Sequence, residues 1–257
     1  MKLSWDETSY RWARDSSKYT GFDLKLSEIL LEKIGQYEES SAGKMSSVHE
    51  QNGLYGTLCD MGCGAGEVDL VLAPYFDRVT CVDIDPVVIN RLSQTVEEEK
   101  IGNISTVCAD GEDITEHFDR VIALFHARSI DLIRKYLKIA DKQLILVVRD
   151  SKMTEIGVDE YKSLDCFDTG SMKNALDEAG IRYTFSKHSI EHGQPFQNYT
   201  EAVEFVMKYC EISEIDRAKE YLNVKLEYTG EKEFPYYLPK MKKMGIFVIN
   251  TQSEELL

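Results

Sequence analysis

The sequence lacks the features that mark secreted, membrane-spanning and strongly nucleic-acid-binding proteins. Its first residues, Met1–Asp6, form neither an apolar signal-peptide core nor a basic amphipathic segment. No apolar run reaches the ~18 residues that a membrane-spanning helix requires. Lys and Arg total 30 against 45 Asp and Glu, a net charge of −15. This balance disfavours a protein that binds phosphate backbones through bulk charge, although it leaves room for a small basic groove.

The six cysteines include no C-x-x-C pair. Cys59, Cys81 and Cys108 lie in apolar runs that are typical of buried strands. The other three are Cys63, Cys166 and Cys210. This usage favours reduced thiols in a reducing compartment over a disulfide framework or a zinc site. We therefore expect a soluble cytoplasmic protein with no metal centre and no membrane partner.

Short apolar runs alternate with longer amphipathic segments from residue 53 onwards. The predicted strands are 55–61, 78–82, 104–108, 120–125, 142–149, 182–188 and 245–250. The predicted helices are 67–76, 86–100, 130–137 and 171–179. Asp85 as N-cap and Pro86 in the first helical position mark one helix start. The alternation predicts a doubly wound α/β fold, a mostly parallel sheet with helices on both faces.

The segments outside this pattern are predicted to be helical or polar. Residues 1–37 are predicted to form an N-terminal helical cap that Gly21 and Gly35 punctuate, and a polar loop at 36–53 links it to the core. The core domain comprises residues 53–188 and 244–257. Residues 189–243 are predicted to be a helical insertion before the last strand, with helices at 200–210 and 213–223. Such an insertion can be packing or a substrate lid, and the sequence leaves both open.

The strongest local signal is a glycine cluster directly after the first predicted strand, DMGCGAGE at residues 60–67. Its glycines permit a tight strand-to-helix turn and let a ligand approach the backbone. They are Gly62, Gly64 and Gly66. A dinucleotide-binding loop would carry its third glycine at position 67, where this chain has Glu67. The carboxylate of Asp60 would repel a pyrophosphate, but it suits an ammonium group.

Acidic residues also follow the second and third predicted strands. Asp83 lies about 20 residues after the glycine cluster, where a carboxylate can bind a ribose diol. Ile84 beside it can pack on an adenine ring, while Asp85 is best explained as a helix cap. Asp110 follows the third strand at the carboxyl edge of the sheet. It can accept a hydrogen bond from an adenine amino group, or it can simply cap a turn.

Histidines and lysines give weaker signals. The fourth strand ends at Phe125 and His126, and His126 is either a proton acceptor beside the substrate or a structural histidine. Residues 188–192 match the zinc-hydrolase pattern H-x-x-E-H, but they end a strand-like run, and that pattern requires a helix. A compact basic cluster is either a solvated surface or a contact for an anionic substrate. It consists of Lys240, Lys242 and Lys243.

Together, these residues resemble the class I S-adenosylmethionine-dependent methyltransferase family, in its small-molecule branch with a D-x-G-C-G-x-G loop. The likeness covers residues 54–150 and is loose elsewhere. It implies a Rossmann-like fold, with S-adenosylmethionine as cofactor and S-adenosylhomocysteine as product. N-terminal helices often close over the cofactor in such proteins. Candidates for that role here are Tyr19, Trp12 and Trp5.

The resemblance also assigns cofactor-binding residues. The methionine part is implied to lie among Asp60, Gly62, Cys63, Gly64 and Gly66. The ribose and adenine are implied to contact Asp83, Ile84, Asp110 and Gly111. Phe125 and His126 then lie between cofactor and substrate, with His126 as the catalytic candidate.

The expected function is methyl transfer to a small-molecule acceptor by direct in-line displacement. A sulfonium is an activated leaving group, so the protein mainly aligns the nucleophile and excludes water. A base is needed only when the nucleophile holds its proton tightly. The alternatives are a methyltransferase that modifies RNA or protein, and a non-catalytic cofactor-binding protein on the same fold. A nicotinamide oxidoreductase is disfavoured by Glu67.

Overall fold

A seven-stranded sheet forms the centre of the computed structural model, which describes residues 6–42, 54–151, 167–209 and 212–251. Its strands are β1 Thr57–Met61, β2 Arg78–Asp83, β3 Ile104–Cys108, β4 Phe118–Leu124, β5 Ala140–Arg149, β6 Thr184–Glu191 and β10 Met241–Asn250. They lie in the order β3-β2-β1-β4-β5-β10-β6. The pairings among β1 to β5 are parallel, whereas β10 is antiparallel to β5 and β6. The predicted α/β fold with a mostly parallel sheet is confirmed.

Helices cover both faces of this sheet. They include α3 Glu67–Leu72, α4 Pro86–Glu98, α5 Ile130–Ile139 and α6 Thr169–Glu178. The predicted helix over 67–76 ends early, at Leu72, and continues as a 3₁₀ turn at Ala73–Tyr75. Pro74 accounts for the change, because its ring excludes a regular helical turn.

Alternate strand residues enter two separate hydrophobic cores. Leu58 and Ile145 belong to the core on one side, together with Leu26 from the N-terminal region. Cys59 and Leu144, their chain neighbours, belong to the core on the other side. Successive strand side chains point to opposite faces, so a strand buried on both faces reads as a continuous apolar run.

Two helices precede the sheet, α1 Glu7–Thr20 and α2 Phe22–Ala42. Gly21 separates them as predicted, with a φ of 63° that favours glycine. Gly35 does not end α2, and the predicted loop is wrong from residue 36 to 42, where the chain is helical. A helical glycine costs only about 1 kcal/mol, and burial of neighbours such as Ile34 offsets it. Residues 43–53 and Trp5 lie outside the described residues.

The insertion between β6 and β10 is mixed rather than helical. Its elements are β7 Gln194–Phe196, α7 Tyr199–Tyr209, α8 Ile215–Lys225, β8 Glu227–Tyr228 and β9 Tyr236–Leu238. The two predicted helices are present, shifted by one or two residues. The three short strands form a second sheet in the order β7-β9-β8, which was not predicted because two or three residues are too few to show a period. The domain boundaries themselves remain a prediction.

Helix α1 joins the insertion to the rest of the chain. The Trp12 indole lies edge-on to Phe205, with ring centroids 5.2 Å apart. Its Nε1 donates a hydrogen bond of 2.9 Å to the buried carboxylate of Glu201, which also pairs with Arg11. The carbonyl of Trp12 accepts from Gln194 of β7 at 3.2 Å. These contacts hold α1 and the insertion together as one layer.

The cysteines within the described ranges are free thiols. Cys59 and Cys81 are buried as predicted, but Cys108 is exposed because it ends the edge strand β3. Cys166 and Cys210 lie outside the described residues. In the same ranges, no cluster of three or more His, Cys, Asp or Glu side chains could hold a metal ion. The helices found there are also too short or too polar to cross a bilayer.

Candidate active site

The glycine loop connects β1 to α3 at the carboxyl edge of the sheet. Gly62, Gly64 and Gly66 all have positive φ, at 79°, 56° and 73°. The backbone N–H groups of Gly62 and Cys63 donate to the carbonyl of Val82 at 2.8 and 3.0 Å, which ties the loop to β2. The loop conformation therefore demands glycine at these three positions for backbone reasons alone.

His126 lies directly against this loop. A Cβ added to Gly62 would stand 2.5 Å from Cγ of the His126 ring. Burial, followed by the charge of Arg128, lowers the pKa of His126, while Asp83 and Asp110 raise it. The imidazole is therefore neutral near pH 7 and can accept a proton. The structure brings His126 to the predicted ligand residues, and its catalytic role remains a prediction.

Replacing Gly62 with alanine should damage this corner of the site. We expect a stability loss of about 1–3 kcal/mol, because the change adds backbone strain and a clash with His126. S-adenosylhomocysteine affinity, measured by calorimetry, should fall as well. Gly102→Ala is the matched control, since a Cβ there meets no atom within 4 Å and its φ is not in the left-handed region. Equal thermal midpoints for the two variants would contradict the expectation.

Asp83 is held in place by the loop and by the next helix. Its Oδ2 accepts a hydrogen bond of 3.0 Å from Gly64 N, and its Oδ1 accepts one of 2.9 Å from Asp85 N. Each carboxylate oxygen keeps a further lone pair, which a ribose hydroxyl can use. Asp85 caps α4 as predicted, because its side chain accepts from Val87 N at 2.9 Å. Ile84 is 55% exposed, as an apolar contact for a ligand must be.

The loop after β3 forms the opposite border of this edge. Asp110 caps a short 3₁₀ turn, with its Oδ1 accepting from Glu112 N at 3.0 Å. This cap is the alternative explanation that the sequence offers for Asp110. The capped carboxylate can still accept further hydrogen bonds. A Cβ on Gly111 would stand 2.8 Å from the hydroxyl of Tyr136 in α5. That hydroxyl is buried without a hydrogen-bond partner among the described residues.

Two carboxyl groups are buried beneath the glycine loop. Asp60 in β1 and Asp69 in α3 are 1% and 0% exposed. Asp60 Oδ1 and both carboxyl oxygens of Asp69 have no partner at strict hydrogen-bond geometry in the described part of the chain, although the Cys81 thiol and the Asp60 carboxyl are near enough to Asp69 to lower its pKa. Burial is the main cause that raises the pKa of both groups, and for Asp60 the neighbouring Asp69 adds to it. When no ligand is bound, such a pair of carboxyl groups holds a proton. The same pair attracts a cation.

Helix α1 covers the glycine loop from outside. Tyr10 packs against Ala65 of the loop and Val88 of α4. Arg14 Nε lies 3.0 Å from Glu67 Oε1 at the start of α3. The sequence predicts that N-terminal helices close over the cofactor, and α1 is the helix that lies over the glycine loop.

Tyr19, the predicted contact on this helix, is not brought to the loop. Its ring lies 4.9 Å from that of Tyr237 and 6.0 Å from that of Phe234, both in the insertion. Its hydroxyl donates to Glu231 at 3.4 Å. Trp12 likewise packs on the insertion, and Tyr10 is the residue of α1 that contacts the loop.

Three residues of this edge were not found by sequence reasoning. Asp69 carried a usable signal, since it is an acid on the buried face of α3 beside Val68 and Leu72. Tyr10 and Tyr136 carried none, because an aromatic residue in an amphipathic helix is ordinary core material. Their positions depend on how α1 and α5 pack on the sheet.

The arrangement fits S-adenosylmethionine better than a nucleotide with phosphates. The unpartnered oxygens of Asp60 and Asp69 suit an ammonium group, and the acids around the loop would repel a pyrophosphate. Asp83 has acceptor capacity for a ribose diol. Glu67 occupies the position of a third glycine and pairs with Arg14.

Comparisons with known proteins agree with this fit. Residues 58–144 match the family model of a methyltransferase domain. No curated protein has significant similarity to the sequence. Among solved structures, a candidate methyltransferase from Bacillus halodurans is 15% identical, with a TM-score of 0.50, and the match covers 87% of this chain and 99% of that one.

A second solved structure, an S-adenosylmethionine-dependent methyltransferase from Aquifex aeolicus, is 17% identical, with a TM-score of 0.50. The match covers 70% of this chain and 91% of that one. At these identities, the two structures show a shared fold. The family model therefore makes residues 58–144 a methyltransferase domain, and the two solved structures share the fold in which it lies.

Proposed function

We propose that this enzyme transfers the methyl group of S-adenosylmethionine to a small-molecule acceptor by direct in-line displacement. The observation that carries the proposal is the cover over the carboxyl edge of the sheet. Tyr10 of α1 packs on Ala65 of the glycine loop, and Trp12 of the same helix donates a hydrogen bond to Glu201 of the insertion. An edge covered in this way suits a small acceptor better than a long polymer.

The charges beside the cover support a small acceptor over RNA. A cavity of 390 Å³ between α1 and α4 is lined by three arginines, but each of them is paired with a carboxylate. Arg11 pairs with Glu201, Arg14 with Glu67, and Arg91 with Glu7. Paired guanidinium groups in a chain of net charge −15 give no attraction for a phosphate backbone.

Different residues of this sheet edge would bind different parts of the cofactor. Asp60 and Asp69 would hold the ammonium group, Asp83 the ribose hydroxyls, and Asp110 the adenine edge. When bound, S-adenosylmethionine supplies an activated methyl group on a sulfonium. The protein then orients the acceptor and excludes water at the end of β4. His126 would accept a proton there.

Titration calorimetry with S-adenosylmethionine and S-adenosylhomocysteine, with NADH as the control, tests the proposal first. We expect both sulfur compounds to bind and NADH not to bind. A screen of small acceptors by homocysteine release, run beside RNA and protein acceptors, tests the substrate class. NADH binding, or turnover with RNA alone, would overturn the proposal. The cytoplasmic location remains a prediction.

A further inference from the structure

Strand β6 forms one edge of the seven-stranded sheet. It comes last in the strand order, and within the described ranges it pairs with β10 alone, from Thr184 to Glu191. At eight residues it is longer than β3, the five-residue strand at the other edge. An edge strand presents main-chain N–H and C=O groups that can pair with a strand of another molecule.

The main-chain groups that face outward belong to the odd-numbered residues of β6. The register between β6 and β10 places His192 opposite Lys240, and His192 N donates to Lys240 O at 2.8 Å. His192 therefore directs its main chain toward β10. Because successive residues of an antiparallel strand direct these groups to alternate sides, the outward groups include those of Lys187, Ser189 and Glu191.

The same three residues form the exposed part of this edge. Lys187, Ser189 and Glu191 are exposed, whereas Phe185, the odd-numbered residue before them, is half-buried. Ile190, whose side chain points to the opposite face of the sheet, is buried in the core with α2. The edge that another strand can reach therefore runs from residue 187 to residue 191, with Ser189 at its midpoint.

This exposed segment is complementary to itself when two copies run antiparallel. Pairing about Ser189 places Lys187 opposite Glu191 of the partner subunit, and the two-fold symmetry repeats the ion pair on the other side of Ser189. Opposite charges directly across two strands stabilise the pairing, and like charges destabilise it. A register that placed Lys187 against its own copy is disfavoured for that reason. A lone lysine on an edge strand opposes pairing, but here Glu191 on the same face supplies its counter-charge.

Both charged side chains can accept this second partner. Lys187 Nζ lies 2.8 Å from Asp150 Oδ1, yet the lysine side chain is still 59% exposed. The hydroxyl of Tyr237 donates to Glu191 at 2.8 Å, which leaves further lone pairs on that carboxylate. A pair between subunits would therefore extend the contacts within each chain without breaking them.

We propose that β6 is the interface of a homodimer, in which it pairs antiparallel with β6 of a second copy of this chain about Ser189. Main-chain hydrogen bonds from the outward groups would hold the two strands together, and the Lys187–Glu191 pairs would fix the register. The two sheets would then continue as one. A single short edge belongs with small interfaces, below ~1,200 Å², which are weak or transient, so the dimer should dissociate on dilution.

Sedimentation of the whole protein tests this interface at concentrations from about 1 to 100 µM, at an ionic strength that screens the long-range repulsion between two acidic chains. We expect a reversible equilibrium between monomer and dimer. Lys187→Glu places like charges opposite each other and should weaken the dimer about 10-fold, as should Glu191→Lys. The double variant, Lys187→Glu with Glu191→Lys, restores opposite charges and should recover the dimer. Lys219→Glu, which makes the same charge change at an exposed position of α8, should behave as wild type.

Ser189→Pro tests the main-chain pairing separately from the charges. Proline has no N–H, and an edge strand tolerates it where the N–H faces away from the sheet. This variant should keep the wild-type thermal midpoint but remain monomeric over the whole concentration range. If it does not fold, the charge-swap series decides.

Two results would overturn the inference. One is a wild-type protein that stays monomeric at the highest concentration. The other is a dimer that Lys187→Glu and Glu191→Lys leave unchanged, since its interface would then lie elsewhere. Calorimetry with S-adenosylhomocysteine measures the cofactor site independently of assembly, so a failure to bind would count against the proposed function and not against this interface.

Discussion

Replacing Asp83 with alanine is expected to weaken S-adenosylmethionine binding by about 2–4 kcal/mol, roughly 30- to 1000-fold, through loss of charge-assisted hydrogen bonds. The carboxylate has two tasks here. It accepts from Gly64 N and Asp85 N, and it is the predicted partner of the ribose hydroxyls. Its removal therefore loosens the loop and deletes ligand contacts together. Calorimetry with S-adenosylmethionine measures the loss.

Two variants separate these tasks. Asp83→Asn keeps the size and one acceptor oxygen but removes the charge, so its affinity should lie between those of wild type and Asp83→Ala. Asp85→Ala removes the cap of α4 and keeps the backbone N–H that donates to Asp83, so it should cost about 1 kcal/mol of stability with little change in affinity. Unchanged affinity in a folded Asp83→Ala protein would exclude Asp83 from the site.

Cofactor binding is expected to release a proton from the Asp60 and Asp69 pair. In the free protein, burial raises the pKa of Asp69 to about 7, and the pKa of Asp60 also lies well above its usual range. The pair therefore keeps a proton below neutral pH. An ammonium group favours the doubly ionised pair, so affinity should rise with pH by up to about tenfold per unit until neutrality. Calorimetry in buffers of different ionisation heat counts the protons released.

Asp69→Asn should remove most of this pH dependence, while Asp77→Asn, which changes an exposed acid, should not. Unfolding experiments give a second measure. Because the native state binds the proton more tightly than the unfolded chain, the contribution of this pair to wild-type stability falls as pH rises from about 4 to 7. The Asp69→Asn protein lacks that loss, so its advantage over wild type should grow across this window. Equal pH profiles for wild type and Asp69→Asn would show that the pair does not hold a proton.

Local patterns were sufficient for the parts of the site that lie close together in the chain. The strand, the glycine loop and the helix follow one another from Thr57 to Leu72. The loop could be predicted from its residues alone, because a tight turn with positive φ favours glycine. The Asp85 cap and the Gly21 break were predicted for the same reason. Each depends on hydrogen bonds or backbone angles within a few residues.

Other features depended on contacts between distant segments. Gly35 failed to end α2, because packing outweighed the cost of one glycine. Cys108 became exposed through the position of β3 at the sheet edge. The strands of the insertion form only by pairing with one another, so a single short strand carries no signal in the sequence.

The amino-acid sequence by itself determined the α/β core, the glycine loop after β1 and the acids that surround it. These depend on apolar periodicity, glycine conformations and the short spacing between strand and helix. Only the tertiary structure decided that Asp69 meets Asp60, that Tyr10 rather than Tyr19 covers the loop, and that Lys242 lies between Phe22 and Phe125. Those neighbours come from helices and strands far apart in the chain, and their meeting is set by how whole elements pack on the sheet.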